Sequence, residues 1–119
     1  MVYDDDNIFA KIIRGDIEVD RLYEDEHVLA FPDHAPKAPV HILVVPKGAY
    51  VSLADFSQKA SSAEIEAFTR ALGNIARERG LESSGYRTIM NHGKDGGQEV
   101  FHYHAHILGG KSIGPLVAG

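Results

Sequence analysis

Three histidines alternate near the end of the chain, in Phe101-His102-Tyr103-His104-Ala105-His106-Ile107-Leu108. Successive strand side chains point to opposite faces, which puts the three imidazoles on one face and the apolar residues between them on the other. Three readings suit that pattern. The plainest is a solvent-facing polar strand, although Thr, Lys or Glu would serve an indifferent surface better than His. The second is a metal site. Residues two apart on a strand lie about 6.7 Å apart, close enough for two imidazoles to share an ion, with His41 as candidate third ligand. Residues four apart lie about 13 Å apart, so all three could meet only on a bent strand. The third is covalent catalysis, where a neutral imidazole attacks and its neighbour carries the proton for a leaving group. Near-neutral pKa values would let one strand hold both protonation forms.

The elements that must position these residues follow from the surrounding sequence. Asp6 or Asn7 caps a short helix whose apolar residues are Ile8, Phe9, Ile12 and Ile13, with Gly15 as its stop. Strands are expected over 21–23 and 28–31, joined by a charged turn. The segment from Pro32 to Pro39 is expected as a fixed loop, because proline has no N–H for a ladder. His41 to Pro46 is apolar and β-branched, as in a strand buried on both faces. The clearest helix runs from about Ser62 to Arg79, with Ser61 and Glu64 at capping-box spacing. Its stripe is Ile65, Phe68, Leu72, Ile75 and Ala76, and Gly80 stands at the left-handed cap. Two last strands are predicted over 86–91 and 99–108. The loop between them is glycine-rich, which lets main-chain N–H groups approach a phosphate, although most such loops need only positive φ. The whole reads as one α+β domain, residues 1–119, with a mostly antiparallel sheet.

Composition narrows the chemistry. The 119 residues are 44% hydrophobic and include seven His but no Cys, excluding a disulfide framework, a thiolate metal site and a cysteine nucleophile. A formal net charge of −5 argues against a nucleic acid polymer as partner. The N-terminal residues are acidic and unlike a secretory signal, and no apolar stretch has the length to cross a membrane. A cytoplasmic protein with no membrane partner is expected.

The segment from Gly96 to Gly110 resembles the signature of the histidine triad family, with Tyr103, Ala105, Ile107 and Leu108 in its apolar places. Asn7 to Gly15 resembles that family's opening helix, Leu29 to Asp33 and Ala38 to Lys47 its central strands, and Tyr86 to Asn91 the strand before the triad. The similarity is greatest to the purine nucleoside phosphoramidase branch in its bacterial-like form. This resemblance implies a five-stranded, mostly antiparallel sheet with one long and one short helix, continued across a two-fold homodimer. It also implies hydrolysis of purine nucleoside phosphoramidates, AMP-lysine types included, through a nucleotidyl-histidine intermediate, without cofactor or metal.

In that scheme His104 is the nucleophile, and His106 touches the phosphate and protonates the leaving amine. His102 aligns His104 through its main-chain carbonyl, and His41 supports the triad. Ile8, Phe9, Ile12, Phe31 and Leu43 would enclose the purine and Asp33 would take the ribose hydroxyls. Asn91, Gly97, Gln98, Glu99 and Val100 would border the phosphate. The same residues suit a non-catalytic nucleotide-binding module, and a metal-dependent hydrolase using two triad histidines and His41 stays open. The chain also departs from the pattern. Asn7 and Ala10 stand where some members have zinc-binding cysteines, and Glu99 where the animal-type enzymes have serine. The tail from Lys111 to Gly119 lacks the tryptophan of some relatives.

Overall fold

The apolar run read as a doubly buried strand becomes β3 (Val40–Pro46), buried from His41 onward and central in a five-stranded sheet. The computed structural model describes residues 2–117, and the last two residues of the tail lie outside them. On one side of β3 stand β2 (Val28–Pro32) and then β1 (Tyr23–Glu24); on the other stand β5 (Ala105–Gly109) and then β4 (Tyr86–Ile89). Every pairing is antiparallel. The helices are α1 (Ile8–Ile13), α2 (Leu53–Lys59) and α3 (Ser62–Glu78). The α+β architecture and the five antiparallel strands are those expected.

Alternation along the strands sorts the sheet into two faces. Register puts Ala30, Val44 and Ala105 in one row and Ile42 with Ile107 in the next. That face packs beneath α3, where Phe56, Phe68, Ile75 and Tyr103 complete the larger apolar cluster. The opposite face carries Leu29, Phe31, Leu43 and Val45, packed with Phe9 and Ile12 of α1. His106 stands opposite Leu43 on this second face, with His41 one diagonal step away. The capping box of α3 is present: Ser61 Oγ accepts the Glu64 N–H, and the Glu64 carboxylate accepts the Ser61 N–H. Phe68, Ile75 and Ala76 are buried along the expected stripe, whereas Ile65 is 39% exposed.

The last strand is shorter than its alternation suggests. β5 begins at Ala105, leaving His102 and His104 before the ladder. Continuing the register of Val44 with Ala105 brings Pro46 opposite Tyr103, but proline has no N–H to donate and its carbonyl is taken by the His102 ring. The Tyr103 N–H bonds instead to the Tyr50 carbonyl at 2.7 Å. Alternation survives the loss of the ladder: Tyr103 joins the α3 cluster, and the His102 and His104 rings pack edge-on against Phe9 on the α1 side.

Other boundaries shift for local reasons. β4 stops at Ile89, two residues before Asn91, and β1 is Tyr23–Glu24 rather than 21–23. Pro32 closes β2 opposite Ile42 instead of opening the loop; its missing N–H falls on the side where β1 has already ended. Helix α2 was not expected, and it makes two short helices beside the long one. With only Phe56 buried, it offers too little periodicity to be read. Its first turn is held by the Asp55 carboxylate, which accepts the N–H groups of Val51 and Ser52. No described helix is long and apolar enough to cross a membrane.

Candidate active site

His102 is 1% exposed, so both of its ring nitrogens need partners within the protein. Nε2 lies 2.8 Å from the Pro46 carbonyl, which can only accept, and therefore carries the hydrogen. Nδ1 is then a lone pair and accepts from the Tyr3 hydroxyl. Burial pushes this ring's pKa down to about 4, outweighing the Pro46 bond, which favours the charged form.

The same logic orients His104. Its Nδ1 is 2.7 Å from the His102 carbonyl and must donate, which leaves the lone pair on Nε2. That nitrogen has no partner among the described residues and is not sealed from solvent. Burial lowers the pKa of His104, with the His102 carbonyl, Asp33 and Glu99 pulling the other way. A neutral ring with an outward lone pair is the form a nucleophile needs.

His106 takes its tautomer from further away. The Lys37 main-chain N–H donates to His41 Nδ1 at 3.0 Å. A ring nitrogen that accepts holds no hydrogen, so neutral His41 carries it on Nε2, which faces His106 Nδ1 at 2.9 Å. His106 Nδ1 accepts, and its own hydrogen sits on Nε2. Burial lowers the pKa of His41, and it lowers that of His106 to about 4 with help from His104 and His41. The expected mixture of imidazole and imidazolium is therefore not what the free protein holds. All four rings are neutral at neutral pH, and His104 and His106, with centroids 5.2 Å apart, differ in tautomer instead of charge.

Asp33, His41 and His106 offer ligand atoms within 4.8 Å of one another, so one triad histidine, not two, joins His41 in the candidate metal cluster. The donor set does not suit a cation. A metal-bound imidazole turns a lone pair to the ion and its other N–H to an acceptor. The far nitrogen of His41 faces a donor, the Lys37 N–H, and ligation through Nε2 would set two hydrogens against each other.

Of the residues assigned to a purine slot, Phe9, Ile12, Phe31 and Leu43 are 2–6% exposed and form one cluster with Val100 packed on it. Core packing accounts for them without a ligand. Ile8 is different, at 44% exposed. Asp33 Oδ1 accepts the Ala35 N–H at 2.8 Å, the local turn that proline-rich surroundings favour, while Oδ2 lies 3.4 Å from His41 Nε2. Asn91 is half-buried beyond β4, and Glu99 is exposed. Gln98 is buried, and its amide is committed to the Val51 and Val100 carbonyls and the Gly93 N–H, so its side chain shapes the loop and is not free for a ligand. That loop is tight: a Cβ at Gly96 would fall 2.4 Å from the His92 carbonyl oxygen, and Gly97 has φ +74°. Tyr3, Pro46, Tyr50 and the Lys37 amide all position the histidines without having been singled out. Main-chain donors and acceptors leave no residue-type signal, and Tyr3 stands outside every recognisable element.

Fold and site together define a class: an α+β protein with neutral histidines laid out at the start of its last sheet strand. The HIT domain family model matches residues 14–113, and the chain belongs to that family. The purine nucleoside phosphoramidase of Escherichia coli K12 is 43% identical over 114 residues, 96% of this chain and 95% of that protein. A HIT-like protein of Azospirillum brasilense is 50% identical over 115 residues, 97% and 94% of the respective chains. A solved histidine triad protein from Clostridium difficile matches with TM-score 0.85 at 44% identity, covering 98% of this chain and all of that one. A HIT family hydrolase from Legionella pneumophila matches with TM-score 0.85 at 35% identity, covering 92% and 96%.

Proposed function

We propose that this protein hydrolyses purine nucleoside phosphoramidates by two displacements at phosphorus. The observation that carries the reading is the pair of tautomers, an outward lone pair on His104 Nε2 beside an N–H on His106 Nε2. The names of the Escherichia coli and Legionella relatives support a hydrolase of this kind. His104 Nε2 attacks the α-phosphorus, the substrate's P–N bond breaks, and the leaving nitrogen takes the Nε2 proton of His106, which substrate binding has made an imidazolium and which returns to the neutral ring. The amine departs and His104 holds the nucleotidyl group, with its Nδ1–H still on the His102 carbonyl. Water then attacks the phosphorus and gives its proton to His106 Nε2. The bond to His104 breaks and the nucleoside monophosphate leaves. The phosphate's negative charge raises the affinity of His106 for a proton, so with substrate bound the ring takes up a second proton from solvent and becomes the imidazolium that serves as acid. Imidazole and main-chain N–H groups supply the charge stabilisation, and the route uses no metal.

In this scheme Ile8 and the edge of the Phe9, Ile12, Phe31 and Leu43 cluster meet the base, and the remaining lone pairs of Asp33 meet the ribose. Asn91, Glu99, Val100 and the main chain at Gly97 border the phosphate. A second copy joins along β4, an edge strand; Tyr86 at its start and Met90 just beyond its end are 40% and 39% exposed. Light scattering that gives the monomer mass would sink the dimer.

The test is incubation with adenosine 5'-phosphoramidate in excess chelator. Amine release should continue, with a burst when the second step is slow, and a nucleotidyl adduct absent from His104→Ala should be trapped by rapid quench. Tight AMP binding with no turnover of any phosphoramidate would leave a binding module instead. Activity restored only by added zinc would return the metal-dependent reading.

A further inference from the structure

Tyr3 belongs to the segment that precedes α1, yet its hydroxyl reaches His102 Nδ1 at 2.5 Å across 99 positions of sequence. We infer that Tyr3 is a positioning residue for the nucleophile, holding the His102 ring, and through it the His102 carbonyl, where His104 needs it. The inference rests on the proposed attack by His104.

The His102 ring is gripped at both nitrogens, by the Pro46 carbonyl at Nε2 and by Tyr3 at Nδ1, and no other described group bonds to Nδ1. With the residue 1% exposed, water has no ready access to replace the hydroxyl. A ring held at both ends cannot turn, and it keeps its own carbonyl 2.7 Å from His104 Nδ1. That bond is what leaves the His104 lone pair on Nε2.

The clamp is itself held in place. The Asn7 amide donates to the Asp4 carbonyl at 2.7 Å, and the Arg14 guanidinium donates to the Asp5 carbonyl at 2.8 Å. The Tyr3 ring stands edge-on to His102 at 5.6 Å, and Phe9 packs edge-on against both His102 and His104. Burial raises the Tyr3 pKa further above neutrality, and the phenol remains a donor throughout the working range.

Tyr3→Phe keeps the ring and removes only the hydroxyl. Its kcat on adenosine 5'-phosphoramidate should fall about tenfold with KM little changed, and adduct formation should slow by the same factor. Wild-type kcat in folded Tyr3→Phe overturns the inference, as does a loss that merely follows the fraction unfolded at the assay temperature. Ring nitrogen NMR of the wild type gives a second decision that does not depend on the variant folding. From about pH 5 to 8, His102 should show a protonated Nε2 and a hydrogen-bonded, unprotonated Nδ1. The opposite tautomer, or a charged ring, overturns it. If the wild type turns over no phosphoramidate while His102 shows this tautomer, the proposed reaction fails and the Tyr3 clamp on His102 stands.

Discussion

On its α3 side the sheet lies beneath a 17-residue helix and the rings of Phe56, Phe68 and Tyr103. On its α1 side a six-residue helix covers a smaller apolar cluster, and the four histidines lie at the margin of that cover. The two faces belong to the same strands and are separated only by alternation. The thick cover completes a core. The thin one excludes enough water to keep the rings neutral while leaving Nε2 of His104 open, a combination that full burial or full exposure would destroy.

Substitutions can break this contrast from either side. The largest effect belongs to His104→Ala, which should reduce turnover at least about 1,000-fold in the protein that remains folded, well beyond the stability lost with the Nδ1 bond to the His102 carbonyl. Rapid-quench kinetics beside thermal melts separate the two quantities. Phe68→Ala on the other face should do the reverse, costing about 3–5 kcal/mol in a denaturant titration with kcat per folded molecule unchanged. A Phe68→Ala protein that is folded but inactive would show that the faces are coupled.

The pH dependence of stability sharpens the comparison further. His102 has a pKa near 6.5 unfolded and about 4 folded, so between these values the unfolded chain binds more protons. Stability is complete above pH 6.5 and is lost as the pH falls toward 4, by roughly 3 kcal/mol from this ring alone. The lowered pKa values of His104, His106 and His41 act in the same direction. Urea titrations from about pH 4 to 7.5 should trace that slope; a flat profile would deny that the α1 face stores neutral rings. A smaller effect on turnover than that of His104→Ala is expected from His41→Ala, which frees His106 to change tautomer. It should lower kcat about 10- to 100-fold with little change in KM, and it should alter the acid limb of the pH–rate profile.

Much of this arrangement was legible along the chain. The capping box at Ser61 and Glu64, the doubly buried β3 and the division of residues 102–107 between two faces all follow from short-range spacing, whereas Phe101, expected on the apolar face, is exposed and joins neither cluster. Helix α2 was not legible, because one buried phenylalanine makes no periodicity. The start of β5 was hidden for another reason: the strand ends where its neighbour offers a proline, and register cannot be read from one strand. Gln98 looked like a ligand residue until its three bonds were seen to close the loop.

The sequence by itself determined that His102, His104 and His106 share a face, since side-chain alternation is a property of any extended backbone. It also determined the family, because the signature lies within one contiguous segment. Only the tertiary structure decided what each ring can do. The hydrogen on His102 is assigned by a carbonyl 56 residues away and a hydroxyl 99 away, and that on His106 by the Lys37 amide acting through His41. A tautomer depends on which donor or acceptor faces each nitrogen. Those partners meet only when the chain folds.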